Sequence, residues 1–264
     1  MGILNVTPDS FSDGGRWIAT SAAVERALQL IEEGAEIVDV GGESTRPGSV
    51  PVEPREQLRR VLPVLQELAG RVSIPISIDT SSSLVARECL AAGAQVVNDV
   101  TALTGDPEMT GVCAAASCGV ILMHMQGIPA TMQQDPRYDD VVREVTGYLE
   151  QRIQDLVSRG IDFRRIMIDP GIGFGKTAAH NLELLSNIAA LKSTGRPVLI
   201  GHSRKRFLQK VLGRPIEEAT AGTIGVAIAV AQQGAELIRV HDVRAVKDAL
   251  VAWQAVTAPP SSVK

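Results

Sequence analysis

A unit that recurs seven times along the chain constrains its fold more than any other feature of the sequence. In each unit a helix-like stretch ends at a glycine, and a short apolar run rich in β-branched residues follows. The glycines are Gly34, Gly70, Gly93, Gly119, Gly160, Gly195 and Gly234. Because a glycine just past a helix end adopts the left-handed conformation that closes the helix, each unit is predicted to be a helix, a cap and a strand.

An eighth strand is predicted at the start of the chain. The eight apolar runs cover residues 2–5, 36–40, 75–79, 95–98, 120–124, 166–169, 197–201 and 236–241. Short apolar runs that alternate with helices are typical of parallel strands buried on both faces. Eight such units in 264 residues favour an α/β fold with a single (β/α)8 TIM barrel, predicted to span residues 1–256. A doubly wound sheet of fewer strands is the alternative, although the first βα turn lacks the GxGxxG of a Rossmann sheet.

The composition argues against several classes of protein. A formal net charge of -4 and an aromatic content of 3% argue against a nucleic-acid binder. The three cysteines are too few for a disulfide framework and fit the reduced thiols of a cytoplasmic protein. The longest apolar tract, residues 219–231, is too short to span a membrane and is predicted to be a tightly packed helix. Residues 257–264, which hold Ala-Pro-Pro-Ser-Ser, are predicted to form a disordered tail.

Polar residues stand at the ends of most predicted strands. They are Asn5, Asp39, Asp79, Asn98, His124 after Met123, Asp169, Ser203 to Lys205 after Gly201, and Arg239 with His241. A lone Asn or Asp at a strand end is often only the cap of the next helix, and for Asp79 the two interpretations are equally weighted. Because the carboxyl ends of barrel strands meet at one mouth, the whole set favours a functional site.

The residue types at this mouth indicate a flat heterocycle that bears phosphate. Asp169 with Asn98 can accept and donate at the amino-pyrimidinone edge of a purine or pterin, and Lys205 can donate to its oxo group. Phosphate oxygens would suit Arg46, Arg239, His241 and the start of the helix after Ser203. Phenylalanines at positions 11, 174 and 207 follow strands and are predicted to flank the ring.

One segment imitates a different phosphate site. Residues 170–177, PGIGFGKT, look like a Walker A loop, but Pro170 occupies the position at which that motif needs its first glycine. We therefore interpret the glycines as residues that permit a tight turn beside the ligand. No role follows for Lys176 from this interpretation.

Eight segments, taken in order, resemble the dihydropteroate synthase family. They are GILNVTPDSFSDGG at 2–15, VDVGGESTRPG at 38–48, ISIDT at 76–80, NDV at 98–100, LMHMQG at 122–127, IDPGIGFGK at 168–176, SRK at 203–205 and RVHD at 239–242. The series spans nearly the whole chain and is highly specific. The resemblance implies a (β/α)8 barrel and a transferase of folate biosynthesis. Its reaction joins 6-hydroxymethyl-7,8-dihydropterin diphosphate to p-aminobenzoate and gives 7,8-dihydropteroate and diphosphate.

The resemblance also implies roles for the matching residues. The pterin would be held by Asp79, Asn98, Asp169 and Lys205, with Met123 along its ring. The diphosphate would be held by Arg46, Arg239, His241 and, through Mg2+ as the cofactor, Asn5. The aminobenzoate site would be lined by Thr45, Pro47, Phe174 and the segment around Lys205. The predicted catalytic residues are Asp79, Lys205, Arg239 and His241, and family analogy predicts a homodimer.

The chemistry implied by the resemblance needs no catalytic dyad. Diphosphate held by Mg2+ and several cations is a good leaving group, and an aniline nitrogen is already neutral near pH ~7. The protein therefore mainly positions the two substrates and neutralises charge. Two features depart from the family. Further residues usually precede the first strand, so we expect a trimmed start and a less closed barrel floor, and Arg206, where Ser is frequent, is expected to face solvent.

Two other hypotheses are open at this point. A pterin-binding domain that passes a methyl group from methyltetrahydrofolate to a corrinoid protein would share the pterin residues, but it has no use for GGESTRPG or SRK. A catalytically silent pterin binder would be expected to lack Asn5, Arg46 or His241, and the chain keeps all three. Release of diphosphate only when both substrates are present separates the synthase from either alternative.

Overall fold

The computed structural model describes residues 1–7, 15–44 and 48–257, without the side chains of residues 15–19. Within these residues eight parallel strands alternate with helices. The strands are β1 (Gly2–Asn5), β2 (Val38–Gly41), β3 (Ile76–Asp79), β4 (Val96–Asp99), β5 (Gly119–Met123), β6 (Ile166–Asp169), β7 (Leu199–Ile200) and β8 (Leu237–Ile238). The bounds predicted for β1 and β6 are confirmed to the residue, while β7 and β8 are shorter than predicted.

The strands form a closed ring. β1 to β6 pair in sequence order, and β7 pairs with β8. Parallel bridges join Ile168 of β6 to Val198, and Gly2 of β1 to Val240, so the two sheets meet at both edges. The Ile168 N–H donates to the Pro197 carbonyl across the first of these seams at 3.0 Å. The (β/α)8 barrel is therefore confirmed, and the doubly wound alternative is wrong.

Ten α-helices surround this ring within the described residues. They are α1 (Gly15–Glu32), α2 (Pro54–Leu68), α3 (Ser83–Ala91), α4 (Met109–Ala116), α5 (Val141–Ser158), α6 (Ala178–Leu185), α7 (Ile188–Lys192), α8 (Arg206–Leu212), α9 (Thr220–Gln232) and α10 (Val243–Thr257). None of the described helices is long and apolar enough to cross a membrane. The apolar tract that was predicted to be a tightly packed helix forms α9. Its packing against α8 is close, since a Cβ atom on Gly222 would lie 2.7 Å from Leu212 Cδ1.

The period of two along each strand divides the apolar residues into two layers. Outward-facing residues such as Val40, Ile78 and Leu122 are buried with the helices in the main core. Inward-facing Ile121 and Leu199 form a separate cluster with Met1 inside the barrel. The apolar runs therefore build the barrel from both sides, as parallel strands require. Met1 is thus buried in this inner cluster, while the expectation of a less closed barrel floor stays a prediction.

Glycine closes the helices as predicted at six of the seven positions, where φ is positive. The exception is Gly119, which is the first residue of β5. Ser117 takes the left-handed conformation at the end of α4 instead, with φ of 55°. Two further predictions need correction: Phe207 packs into the main core rather than beside a ligand, and Thr257 still belongs to α10. Residues 258–264 lie outside the described residues.

Candidate functional site

The strand register brings the polar strand ends to one level of the barrel. Gly41 pairs with Asn5 on one side and with Asp79 on the other, and Asp79 pairs with Asn98. Farther around the ring, Met123 pairs with Asp169. Because all eight strands are parallel, these residues share the carboxyl-end mouth that the sequence predicted.

Arg239 connects two of the strand-end carboxylates. Its Nε donates to Asp39 Oδ2 at 2.6 Å, and its Nη2 donates to Asp79 Oδ2 at 2.7 Å. Asn98 Nδ2 donates to the same Asp39 oxygen at 3.0 Å. Charge-assisted bonds of this kind are stronger than neutral ones, so a cation and an amide are held by one carboxylate.

Burial changes the proton affinity of the carboxyl groups at the mouth. Burial, with the nearby Asp39 carboxylate, raises the pKa of Asp79 to about 7, although Arg239 opposes the shift. Burial also raises the pKa of Asp169, which the Gly171 N–H and Lys205 oppose. Groups with raised pKa values in a concave site are typical of binding and catalytic positions.

Asp169 lies between the glycine-rich loop and the β7–β8 side of the barrel. Its Oδ1 accepts a hydrogen bond from the Gly171 N–H at 2.7 Å. A Cβ atom placed on Gly201 would lie 3.6 Å from Asp169 Oδ2 and 4.0 Å from Arg239 Cβ. Gly201 thus lies in ordinary contact distance of both Asp169 and Arg239, which places these two residues on the same side of the mouth.

The loop after β6 turns tightly and presents an aromatic ring. Gly171, Gly173 and Gly175 all have positive φ, as the interpretation of the false Walker motif requires. Phe174 is buried in a small cluster with Met123, and the ammonium of Lys205 lies 4.0 Å from the centre of its ring. A cation over a ring face is attracted by the ring quadrupole. The loop therefore joins the residues predicted for the pterin to those predicted for the aminobenzoate.

The anion side of the site is built from the segments that follow β7 and β8. Ser203 Oγ lies 3.1 Å from His241 Nδ1 and accepts a hydrogen bond from the His241 N–H at 3.3 Å. Beside them Arg204 donates to Asp242 at 2.8 Å. These bonds fix the position of His241 relative to the start of α8. Arg206, the first residue of α8, is exposed as expected.

Asn5 ends β1, which is three strands from β6 and Asp169 around the ring. Around the point that a Cβ atom on Gly41 would occupy, Asn5 Oδ1 and Asp79 Oδ2 are each 3.8 Å away. An amide oxygen and a carboxylate oxygen at the same end of two strands are hard donors of the type that Mg2+ prefers. Within the described residues no group of three or more His, Cys, Asp and Glu side chains could hold a metal.

The structure brings most of the predicted residues together. The predicted residues at the mouth are Asn5, Asp79, Asn98, Met123, Asp169, Phe174, Ser203, Lys205, Arg239 and His241. Three others, Thr45, Arg46 and Pro47, lie outside the described residues, as does Phe11. From the sequence, Asp39 was placed at a strand end but was given no role. Lys176 was missed because the likeness to a Walker loop suggested only a phosphate-binding role for it, and that role was rejected.

The comparisons with known proteins agree with this geometry. The family described as pterin binding enzyme matches residues 1–241. The dihydropteroate synthase of Neisseria meningitidis serogroup C is 45% identical over 260 residues, which covers 97% of this chain and 92% of the relative. That of Escherichia coli strain K12 is 44% identical over 250 residues, with coverage of 95% and 88%.

Solved structures are similar over almost the whole chain. The Xanthomonas albilineans dihydropteroate synthase with 4-aminobenzoic acid has a TM-score of 0.92 at 49% identity, and covers 98% of this chain and 93% of that one. The same organism's enzyme in complex with 7,8-dihydropteroate has a TM-score of 0.89 at 46% identity, with coverage of 98% and 94%. The Yersinia pestis enzyme in a sulfonamide drug complex has a TM-score of 0.92 at 40% identity, with coverage of 98% and 94%.

Sequence similarity, fold and the convergence of polar strand ends thus point to the same group of enzymes. The family match covers every strand and every strand-end residue described above. This chain belongs to the dihydropteroate synthase family of pterin-binding enzymes.

Proposed function

We propose how the residues at the strand ends take part in the reaction of this family, the condensation of 6-hydroxymethyl-7,8-dihydropterin diphosphate with p-aminobenzoate. This chain catalyses that reaction. Family membership decides for this reaction over the corrinoid methyltransferase alternative. The observation that carries the assignment of roles is the bridge of Arg239 between Asp39 and Asp79. It supports a ring with N–H donors and a departing anion in one site, because acceptors and a cation stand side by side.

The pterin is assigned to the acidic and amide side of the mouth. Asp79, Asn98 and Asp169 offer acceptors and a donor to its amino-pyrimidinone edge. Lys205 donates to its oxo group, and Met123 packs along the ring with a flexible, polarizable side chain. Asp169 is buried and the Asp79 side chain is only 10% exposed, which supports this assignment, since a carboxyl with little solvent gains most from the N–H donors of a ligand.

The diphosphate is assigned to Arg239, His241 and Ser203. Arg239 presents a planar guanidinium suited to paired phosphate oxygens, and its side chain is 19% exposed at the mouth. His241 is positioned by Ser203 and can donate to the same anion. Arg46 is assigned here too, although it lies outside the described residues. Removing negative charge from the departing group lowers the barrier to its loss.

Magnesium is the proposed cofactor, and the oxygen donors near β1 fit it. Mg2+ is commonly held by one or two protein oxygens together with substrate phosphates rather than by a cage of side chains. Asn5 Oδ1, which lies next to Gly41 as Asp79 Oδ2 does, would supply the protein side of such a site. When bound, the ion would add positive charge at the diphosphate oxygens and favour their departure.

The aminobenzoate is assigned to the face of Phe174. The ring of Phe174 is held beside Lys205, whose charge suits a carboxylate-bearing substrate as well as the pterin. Thr45 and Pro47 are assigned to the same pocket and lie outside the described residues. Sulfonamides are proposed to occupy this pocket, on the support of the Yersinia pestis complex. They should then compete with p-aminobenzoate and not with the pterin substrate.

The reaction itself is a substitution at the pterin methylene carbon. The bond between the pterin methylene carbon and the diphosphate oxygen breaks, the bond from that carbon to the aniline nitrogen forms, and the nitrogen loses one proton to water. The attacking amine is neutral at ordinary pH, so the protein contributes mainly by positioning the substrates and neutralising charge.

We further propose a homodimer in the cytoplasm, by analogy with the family and in keeping with three free cysteines.

A coupled assay of diphosphate release tests the function. Release is expected only when both substrates and Mg2+ are present, and each is omitted in turn. Tight pterin binding without turnover would indicate the silent binder, and methyl transfer to cobalamin would indicate the corrinoid methyltransferase.

Calorimetry tests the proposed residue roles. Asp169→Ala should abolish pterin binding, whereas Arg239→Ala should weaken binding of the pterin diphosphate ester far more than binding of the bare pterin. Equal losses for the two ligands would contradict the anion role of Arg239.

A further inference from the structure

We propose that Lys176 is a positioning residue that fastens the loop after β6 to the loop after β5 and thereby holds Phe174 in place against the aminobenzoate. The inference rests on the assignment of Phe174 in the proposed function. Lys176 is the lysine of the false Walker motif, and nothing in the reaction described above uses it. It is buried, with 2% of its surface exposed. A buried lysine is rare unless its ammonium has partners.

The ammonium of Lys176 binds both loops at once. It donates to the carbonyl oxygen of Phe174 at 3.0 Å, within its own loop. Across to the loop after β5, it lies 2.9 Å from His124 Nδ1 and donates to the His124 carbonyl oxygen at 3.3 Å. All three partners are neutral acceptors, so the contacts serve hydrogen bonding and not charge pairing.

The two loops also touch backbone to backbone, which leaves no room for a different arrangement. A Cβ atom on Gly171 would lie 1.9 Å from the His124 carbonyl oxygen, and one on Gly175 would lie 2.5 Å from the Gln126 carbonyl oxygen. Both glycines have positive φ. Close approach brings carbonyl oxygens together at the seam, and buried carbonyls need donors. Lys176 donates to one of these two oxygens, that of His124, and to the Phe174 carbonyl beside it.

His124 has a defined state in this arrangement. Its burial and the neighbouring Lys176 lower the pKa of His124 to about 3, so the ring is neutral. When Lys176 is protonated it can only donate to Nδ1, and the proton of the neutral ring is then on Nε2. The ring of Tyr148 packs edge-on against His124, with 5.0 Å between ring centres. The partner of Lys176 is therefore itself fixed in position.

Other contacts hold the same loop but tie it elsewhere. Asn181 Oδ1 accepts from the Gly173 N–H at 2.7 Å, and Tyr138 Oη donates to the Gly175 carbonyl at 2.9 Å. Those contacts link the loop to α6 and to the segment before α5. Lys176 instead binds the residue that directly follows Met123, and Met123 shares a buried cluster with Phe174. Its loss should displace Phe174 relative to the end of β5.

The test compares Lys176→Met, which keeps length but removes the donors, with Tyr138→Phe, which removes one hydrogen bond from the same loop. We expect Lys176→Met to raise KM for p-aminobenzoate roughly 10-fold or more, because a small displacement of a positioned group is costly. Pterin affinity by calorimetry should change by less than about 3-fold, since the pterin contacts are made elsewhere. Tyr138→Phe should leave both quantities within about 3-fold of the parent enzyme.

Phe174→Ala separates failure of this inference from failure of the proposed pocket. If Phe174→Ala raises KM for p-aminobenzoate and Lys176→Met does not, the role of Lys176 is wrong and the pocket stands. If Phe174→Ala has no effect on KM, the pocket assignment is wrong and the inference falls with it. Equal effects of Lys176→Met and Tyr138→Phe on KM would mean that Lys176 only stabilises the loop in general, which overturns the inference. Should Lys176→Met fail to fold, Lys176→Gln, which keeps an N–H donor, is measured instead. It must raise KM for p-aminobenzoate above the value of Tyr138→Phe, and a KM equal to that of Tyr138→Phe overturns the inference.

Discussion

Asp39 binds two of the proposed binding residues at the same oxygen atom. Its Oδ2 accepts from Arg239 Nε at 2.6 Å and from Asn98 Nδ2 at 3.0 Å, and the side chain is fully buried. It touches no proposed substrate position, so it acts by orienting the cation and the amide. Its negative charge also balances a guanidinium that would otherwise be buried without compensation.

Asp39→Asn is expected to lower kcat/KM sharply while keeping the shape of the side chain. A charged hydrogen bond contributes about 2–3 kcal/mol, which corresponds to roughly 30- to 150-fold in rate. Steady-state kinetics at fixed Mg2+ measure it. The control is Asp135→Asn, because Asp135 pairs with Arg137 on the surface, where both side chains are largely exposed. An effect of Asp39→Asn no larger than that of Asp135→Asn would contradict the orienting role.

How far single residues can be predicted depends on how far away their partners lie. Asp169 was predicted from its own surroundings, since a carboxylate that ends an apolar strand run is unusual. The role of Asp39 could not be predicted, because its partners Asn98 and Arg239 lie 59 and 200 positions away. For Lys176 the same distance adds to the misleading likeness to a Walker loop, since His124 lies 52 positions away. Contacts of this range exist only once the ring has closed.

Among the structural elements, the loop after β6 depends most on the absence of side chains. Gly171→Ala should be much more destabilising than Gly70→Ala. Both positions have positive φ, so both variants carry the left-handed penalty of about 1–2 kcal/mol. Only at Gly171 would the new atom collide with backbone, at 1.9 Å from the His124 carbonyl oxygen, while nothing lies within 4 Å at Gly70. Thermal and urea denaturation measure the difference, and equal losses would mean that the loops can separate freely.

The same loop should give the protein a characteristic pH dependence. Burial lowers the pKa of Lys176 from 10.5 to about 7. Between those values the unfolded chain binds a proton that the folded chain lacks, so Lys176 lets stability rise with pH in this window. The melting temperature of the parent protein minus that of Lys176→Met should therefore increase from about pH 7 to pH 9. A difference that is flat or falls would indicate that Lys176 keeps its charge.

Helix ends were predictable where glycine supplied the left-handed residue, and Gly119 marks where the rule fails. Ser117 adopts φ of 55° at the end of α4, and so the glycine two residues later is free to begin β5. A non-glycine residue in this conformation leaves no mark in the sequence. Register and strand number survive such an error, because they follow from the apolar runs themselves.

At the scale of the whole molecule, stability and chemistry are located in different layers. The main core lies between the outer faces of the strands and the helices, whereas the site lies at the mouth. Leu65→Ala, in the last turn of α2, should cost about 2–5 kcal/mol of unfolding free energy and leave kcat/KM per folded molecule unchanged. The control is exposed Val251→Ala, expected to cost less than about 0.5 kcal/mol. A matching loss of kcat/KM would show that the layers are coupled.

The two seams that complete the ring have a further consequence. β7 and β8 pair with each other over two residues each, whereas neighbouring strands of the six-stranded sheet pair over three or four. A β-bridge on either side, with backbone hydrogen bonds such as that from the Ile3 N–H to the Val240 carbonyl, joins them to β6 and β1. The segments that follow β7 and β8 carry Lys205, Arg239 and His241, whereas the six-stranded sheet carries Asp79 and Asn98. The β7–β8 side, which must release diphosphate between turnovers, is thus held by the shorter strand pairing. The backbone amides of β7 and β8 should therefore exchange with deuterium faster than those of the six-stranded sheet, and binding of an anion should slow this exchange.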